Sequence, residues 1–375
     1  MKRFERFWSQ GRHSKQAHRD LPEGTFEREM GRDGFDGPAS HIYHPRPPTN
    51  WTSIDGPLKP RAFNLNMVEE SANPFAVPTL LTSASLRIAY WQTSESMPHL
   101  VRDADGDELL FVHSGSMQFF CDYGHMEVDD GSYLVIPRGT MWRVETAGLL
   151  SVLLLSVAGD RFHEPTRGLL GRHALWDPGV LEYPKLNEQF RSQTDTPSSV
   201  LVRRREQLST IHYDHNPLDA VGWKGDTVPV RLHVHDLLPI NSHRYHLPPS
   251  VHATFECDAA LVSTFVPRPF ETDQTALKVP FFHNNDDIDE VIFYHAGNFF
   301  SRDAIETGCL TYHPSGLTHG PHPKALARMF EQPNDSTNEY AVMIDSREQL
   351  EVSTAALNDQ IEIAGYDTSW RIDST

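Results

Sequence analysis

The stretch "HNNDDIDEVIFYHAG", from His283 to Gly297, sets four carboxylates, Asp286, Asp287, Asp289 and Glu290, within eight residues of one histidine. Imidazole nitrogen and carboxylate oxygen together form the donor set that holds Fe, Mn or Zn. A second histidine-rich stretch, "HPSGLTHGPH", follows at 313–322, and the chain carries 21 histidines in all. A blander reading competes: His283 is a turn residue, and carboxylates in a loop are simply solvated. Recurrence of the pattern elsewhere in the chain decides between the two.

It does recur. "HLVRDADGDELLFVHSG" (99–115) carries His99, Glu108 and Gly115, and the later stretch carries His283, Glu290 and Gly297. In both, the glycine lies seven residues after the glutamate. Both continue into a β-segment and a Pro-x-Gly turn, "PRGTMW" (137–142) and "PSGLTH" (314–319). This pattern resembles that of cupins. Adjacent strands of a small β-barrel can aim side chains inward together, and the turns set their register. The repeat selects Glu290 among the four acids. Asp289 faces the other side of the same strand, and Asp286 and Asp287 fall in the loop. Where the second half has His319, the first has Trp142, and an indole ligates no divalent metal. The metal site is therefore expected in the C-terminal half, as His283, Glu290 and His319.

Two histidines and one carboxylate leave coordination positions open, an arrangement typical of non-haem Fe(II) oxygenases. Zn²⁺ or Mn²⁺ fits the same ligands. Other histidines, His246, His313, His233 and His235, are individually best read as structural. Together they raise the prospect of an imidazole poised as acid or base near the metal.

The elements that must position these residues are strands. "ELLFVHSG", "SMQFFCDYG", "HMEVDDGSYLVIPRG", "VPVRLHVHDLLP", "DEVIFYHAG" and "EYAVMIDS" are short β-rich runs between Gly, Asp or Pro turns. The expected fold is mainly β, two cupin-type β-barrel or jelly-roll halves forming a bicupin. Residues 1–66 read as an extended N-terminal arm, 67–215 as an N-terminal cupin-like domain without a metal site, and 216–375 as the C-terminal catalytic cupin domain. "DTPSS" (195–199) reads as a linker. Helical periodicity is best at 323–330 and 347–358.

A net charge of −18 argues against phosphate backbones and anionic membranes. The N-terminus has no apolar h-region, and "GLLSVLLLSVAG" (148–159) is too short to span a bilayer. Cys121, Cys257 and Cys309 lack CxxC spacing and read as reduced, buried thiols. The expectation is a cytoplasmic protein with no nucleic-acid or membrane partner.

Several further stretches, in order, make the C-terminal half resemble the homogentisate 1,2-dioxygenase family: "VGWKGD" (221–226), "INSHRYHLPPS" (240–250), "PFFHNNDDIDE" (280–290) and "HPSGLTHGPH" (313–322). They cover roughly residues 215–330. The resemblance implies Fe(II) held by His283, Glu290 and His319. It implies His246 as the base that takes a proton from the substrate's ring hydroxyl, and His313, Asn285 and Phe299 as substrate-binding. The reaction implied is extradiol-type cleavage of a para-dihydroxylated ring by O₂, in aromatic amino acid catabolism, by a homo-oligomer. Two features depart from the family pattern: His283 to Glu290 is one residue longer, and Phe299 stands where the family tends to have tyrosine. Gentisate-like acids and substituted hydroquinones are thus alternatives to homogentisate. A metal-dependent cupin isomerase or lyase that uses no O₂, and a non-enzymatic bicupin binding protein, are the competing classes.

Overall fold

The computed structural model describes residues 8–166, 173–299, 301–302, 305–328 and 335–371. The architecture is mainly β, two cupin-type barrels built by the two halves of the repeat. In the first, a seven-stranded sheet containing Glu108–Ser114, Ser132–Ile136 and Leu150–Val157 faces a six-stranded sheet containing Leu100–Asp103, Ser116–Cys121 and Met141–Glu145. Leu110, Val112, Met117, Phe119 and Trp142 fill the space between them. In the second, a six-stranded sheet holds Asp289–Ala296 between Tyr340–Ser346 and Cys309–His313. The strand Phe282–Asn285 lies opposite it.

The two barrels share a wall. Leu110 and Val112 point into the first barrel, while Leu109 and Phe111 point out of it, towards the second. Likewise Ile292 and Tyr294 point into the second barrel, and Val291 and Phe293 point back. Strands buried on both faces read as continuous apolar runs rather than alternations, which is why "ELLFVHS" and "DEVIFYHA" are so uniformly hydrophobic. Burying one Leu or Phe fully contributes roughly 1.5–3 kcal/mol, so a wall of such residues holds the barrels as one body.

Equivalent residues of the repeat meet at the pseudo-twofold axis. Phe111 packs on Phe293 with ring centroids 6.3 Å apart, and His113 Nδ1 lies 3.0 Å from His295 Nδ1. One of these nitrogens donates and the other accepts, so only one of the two Nδ1 atoms carries a proton. The repeat's glycines follow the same symmetry. Gly115 and Gly297 have φ of 85° and 90°, and a Cβ on either would strike a carbonyl oxygen, of Leu149 at 2.4 Å or Asn338 at 2.0 Å.

Four expectations change in the structure. Residues 8–66, read as part of an extended arm, do pack on another surface, but through paired strands. Phe26–Gly31 pairs in parallel with Phe282–Asn285 and antiparallel with Ala39–His44, and Arg61–Asn64 joins the edge of the second barrel. Residues 347–358 form no helix; Glu351–Val352 is instead an edge strand on the first barrel, because pairing with Leu81 and Thr82 outweighs weak helical periodicity. The helix at 323–330 is present as Pro323–Arg328, and residues 329–330 lie outside the described residues. Within the expected linker, Ser198 already begins the strand Ser198–Arg204, parallel to Leu100–Asp103. Val230–His233, placed in the C-terminal domain by sequence, pairs with the first barrel. All three cysteines are buried and free, and no helix among the described residues is long and apolar enough to cross a membrane.

Burial, reinforced by the other ring, pushes His113 down to about 4. Burial likewise pushes His295 down to about 4. Unfolded, both would titrate near 6.5. Between those values the unfolded chain binds more protons, so stability falls as pH drops from about 6.5 to 4. Thermal melts across that window should show a steeper acid loss in the wild type than in a His113→Gln/His295→Gln double variant. Parallel curves would remove the pair as a source of acid lability.

Candidate metal centre

His283 and His319 face each other across a two-way backbone bridge, with N–H to carbonyl distances of 2.8 and 2.9 Å. Each ring donates from Nδ1 to a nearby backbone carbonyl, His283 to Phe281 O at 2.9 Å and His319 to Leu317 O at 3.3 Å. That leaves Nε2 of each ring with a lone pair and no proton. Both Nε2 atoms are buried without a hydrogen-bond partner. Glu290, from the facing strand, presents Oε2 at 3.6 Å to His283 Nε2 and Oε1 at 3.4 Å to His319 Nε2. The ligand-type atoms of these three residues lie within 4.8 Å of one another, which is the spacing a divalent cation would bridge.

Burial alone would push the Glu290 carboxyl up. The imidazoles of His319, His283 and His313 outweigh that and hold it well below the usual carboxylate range. Burial lowers His319, keeping its ring neutral. An ionised carboxylate beside imidazole lone pairs is the donor set a metal requires.

The other three acids are committed elsewhere. Asp289 accepts from Tyr312 OH, Ser315 N and Leu350 N at 2.9, 2.8 and 2.7 Å. Asp286 accepts from Gly316 N at 3.0 Å. Asp287 takes a two-pronged contact from Arg32, both bonds 2.6 Å.

His313 lies next to the triad but is not free to meet a ligand. Its Nδ1 donates to Glu290 Oε1 at 2.7 Å, and its Nε2 accepts from Tyr366 OH at 3.2 Å. Its ring stacks on His319 at 4.6 Å. Burial pushes it down to about 3, so it is a neutral donor that orients the Glu290 carboxylate. Asn285 shares the inward face with His283, and its Nδ2 is buried without a partner. Phe299 packs edge-on against Tyr294 at 4.8 Å, in the barrel interior with Ile292 and Tyr366.

His246 reaches the site from another loop. Its Nδ1 bonds Glu271 Oε1 at 2.8 Å, and its side chain is 12% exposed. Burial pushes it down, although Glu271 pulls the other way. Phe281 connects it to the triad, meeting His246 at 6.2 Å and His283 at 5.3 Å between ring centroids. His233 and His235 stand apart, with His233 Nε2 donating to Asp130 O at 3.0 Å. Sequence reasoning missed Glu271, Tyr366, Trp370 and Arg302. Arg302 is buried, gives Nη1 to Gly320 O at 2.8 Å, and keeps an unpartnered Nε. Its only signal is a charged residue closely following the repeat's glycine.

A family model described as "Homogentisate 1,2-dioxygenase N-terminal" matches residues 50–234. A Saccharolobus solfataricus protein named "Putative dioxygenase SSO1533" is 30% identical over 369 residues, covering 93% of this chain and 94% of its own length. This chain belongs to the homogentisate 1,2-dioxygenase family. Proteins named homogentisate 1,2-dioxygenase from Sinorhizobium fredii and Drosophila melanogaster are 23% and 24% identical, covering 78% and 82% of this chain and 67% and 72% of their own lengths. Among solved structures, the "Cupin 2 conserved barrel domain protein from Leptotrichia buccalis" aligns over 81% of this chain and 100% of its own, at 8% identity and a TM-score of 0.37.

In this family member the first barrel has the same frame without the donors. Val101 pairs with Trp142 across the strands, as His283 bridges His319. Val101, and not His99, is therefore the counterpart of His283. His99 instead sits near the surface, its Nδ1 2.7 Å from Ser199 Oγ. Glu108 remains. It accepts from Trp142 Nε1 at 3.1 Å and from Arg203 Nη2 at 3.2 Å. Arg203 also pairs with Asp103, its Nε donating at 3.0 Å. A guanidinium thus stands where the other barrel offers lone pairs. Removing one partner of a buried ion pair costs about 3–5 kcal/mol, so urea denaturation of Arg203→Ala should show a loss of about that size. Trp142→Ala should leave bound metal unchanged; metal loss there would mean the wrong barrel had been chosen.

Proposed function

We propose that this protein is an Fe(II)-dependent dioxygenase that opens the ring of homogentisate or a related para-dihydroxylated aromatic, both atoms of O₂ entering the product. The observation that carries the proposal is the pair of buried, unpartnered Nε2 atoms of His283 and His319 aimed at the ionised Glu290. Unpaired buried polar atoms are costly, and an ion among them removes the cost. Names of relatives add support: one is named a dioxygenase and others homogentisate 1,2-dioxygenase.

Fe(II) bound by His283, Glu290 and His319 would supply open coordination positions for a substrate oxygen and O₂, and a route for electrons between them. The rest is done by the chain's own groups. Glu271 holds Nδ1–H of His246, which leaves Nε2 as the acceptor for a ring hydroxyl proton. Burial keeps His246 neutral and ready to accept, and Glu271 stabilises the imidazolium that results. Loss of that proton makes the ring electron-rich and easier to oxidise. His313 keeps Glu290 in place. Asn285 Nδ2 is a donor for a substrate oxygen, and Arg302 is a cation in the same interior for a substrate carboxylate. Phe299 offers apolar contact where a tyrosine would offer a hydroxyl.

Oxygen uptake by the Fe(II)-reconstituted protein tests the proposal, with homogentisate, gentisate and plain hydroquinones in parallel. Uptake stoichiometric with one of these substrates and lost on chelation is expected; activity without O₂ would instead indicate an isomerase or lyase. His319→Ala should lose bound iron, and full retention would refute the ligand assignment. His246→Ala should keep iron while turnover falls roughly 10²–10⁴-fold, as for loss of a general base. An unchanged rate would take His246 out of the mechanism.

A further inference from the structure

A second group of imidazoles and carboxylates lies outside the triad, in the N-terminal segment. His18, Glu29 and His41 bring ligand-type atoms within 4.8 Å of one another. They come from three places: the turn before Phe26–Gly31, that strand itself, and Ala39–His44. Glu29 sits opposite His41 in the antiparallel register and beside His283 in the parallel one. His18 Nε2 is 2.9 Å from Glu29 Oε2, and its Nδ1 is 3.0 Å from Glu27 Oε2. Glu27 also accepts from the His18 backbone N–H and from Tyr43 OH, both at 2.8 Å. His41 Nδ1 is buried, 3.4 Å from Glu27 Oε1, without a hydrogen bond.

Charge bears on this arrangement. The side chains of His18, Glu27 and Glu29 are 3%, 0% and 8% exposed. Two buried carboxylates face two imidazoles, and with either ring neutral the carboxylates carry uncompensated charge, which is expensive to bury. Arg28, on the same strand, faces away, with Nη1 3.4 Å from Thr318 Oγ1. A divalent cation with neutral His18 would balance both carboxylates.

We propose that His18, Glu29 and His41 form a second site for a first-row divalent cation, distinct from the triad, with Glu27 orienting His18. Glu27 holding Nδ1–H directs Nε2 of His18 at the cation, the carboxylate–histidine–metal arrangement. Two imidazoles with a carboxylate suit Zn²⁺, Mn²⁺ or Fe²⁺ rather than Mg²⁺. Metal–ligand bonds of about 2.1 Å put tetrahedral ligand atoms about 3.4 Å apart, so His18 and Glu29 need only spread slightly. The His41 side chain is 23% exposed, which gives the ion an entry path and a water position. The cation would tie three segments of the N-terminal region together beside the strand that carries His283. Phe281 separates the two clusters, stacked on His18 at 3.9 Å and edge-on to His283 at 5.3 Å. The inference does not depend on the proposed reaction.

The test is a metal count on the full-length protein, stripped with chelator, loaded with Zn²⁺, desalted and analysed by mass spectrometry. Two zinc ions per chain are expected in the wild type, and one in each of His41→Ala, Glu29→Gln and His319→Ala. A wild type with a single ion that survives His41→Ala and disappears in His319→Ala overturns the second site. A single ion with the opposite pattern upholds it and overturns the triad assignment. No bound ion overturns both. The wild-type count stands even if a variant folds poorly.

Discussion

Burying the Glu290 carboxylate carries a penalty of several kcal/mol unless its oxygens are met by charge or by donors. Much of the second barrel is arranged around meeting it. His283 and His319 face it from a bridged pair of segments, His313 donates to it from the strand paired with its own, and Tyr366 holds His313 from a segment far along the chain. The backbone carbonyls of Phe281 and Leu317 fix the ring tautomers, so the two Nε2 atoms present lone pairs and not protons. A site built this way is buried and polar, with two imidazole lone pairs beside a carboxylate.

The first barrel solves the same problem differently. Glu108 occupies the position of Glu290, but its surroundings are Trp142, Val101 and Arg203. A guanidinium and an indole N–H satisfy the carboxylate from within the protein, and nothing remains for a metal to do. Two barrels of one ancestral pattern thus differ in what neutralises one buried acid. Their shared wall, with Phe111 on Phe293 and His113 on His295, keeps the symmetry of the repeat although the two sites have diverged.

The N-terminal segment belongs to this arrangement. Its strand Phe26–Gly31 pairs with the strand that carries His283, and Arg32 grips Asp287 in the loop between His283 and Glu290. Phe35 meets the His283 ring at 5.0 Å. The surplus acids therefore anchor the backbone around the ligand-type residues, Asp287 to the N-terminal segment, Asp289 to Tyr312 and Leu350, and Asp286 to Gly316.

Much of the candidate site was legible in the sequence because it depends on local spacing. Strand alternation separates Glu290 from Asp289, and a fixed interval to a left-handed glycine marks the equivalent glutamate in each half. His99 breaks the spacing to the glutamate, standing nine residues before Glu108; Val101, seven before it as His283 is before Glu290, keeps the interval and pairs with Trp142. Proline, glycine and weak periodicity made residues 1–66 read as an extended arm without strands. Their strands are stabilised by pairing with residues some 250 positions later, a partnership local pattern cannot encode. Tyr366, Trp370, Glu271 and Arg203 likewise acquire their roles only by contact. By itself the sequence pointed to the β-barrel repeat and to His283, Glu290 and His319, which the structure brings together in the second barrel. Tertiary structure alone decided what surrounds each buried carboxylate, because charge compensation in a low-dielectric interior depends on distance in space and not along the chain.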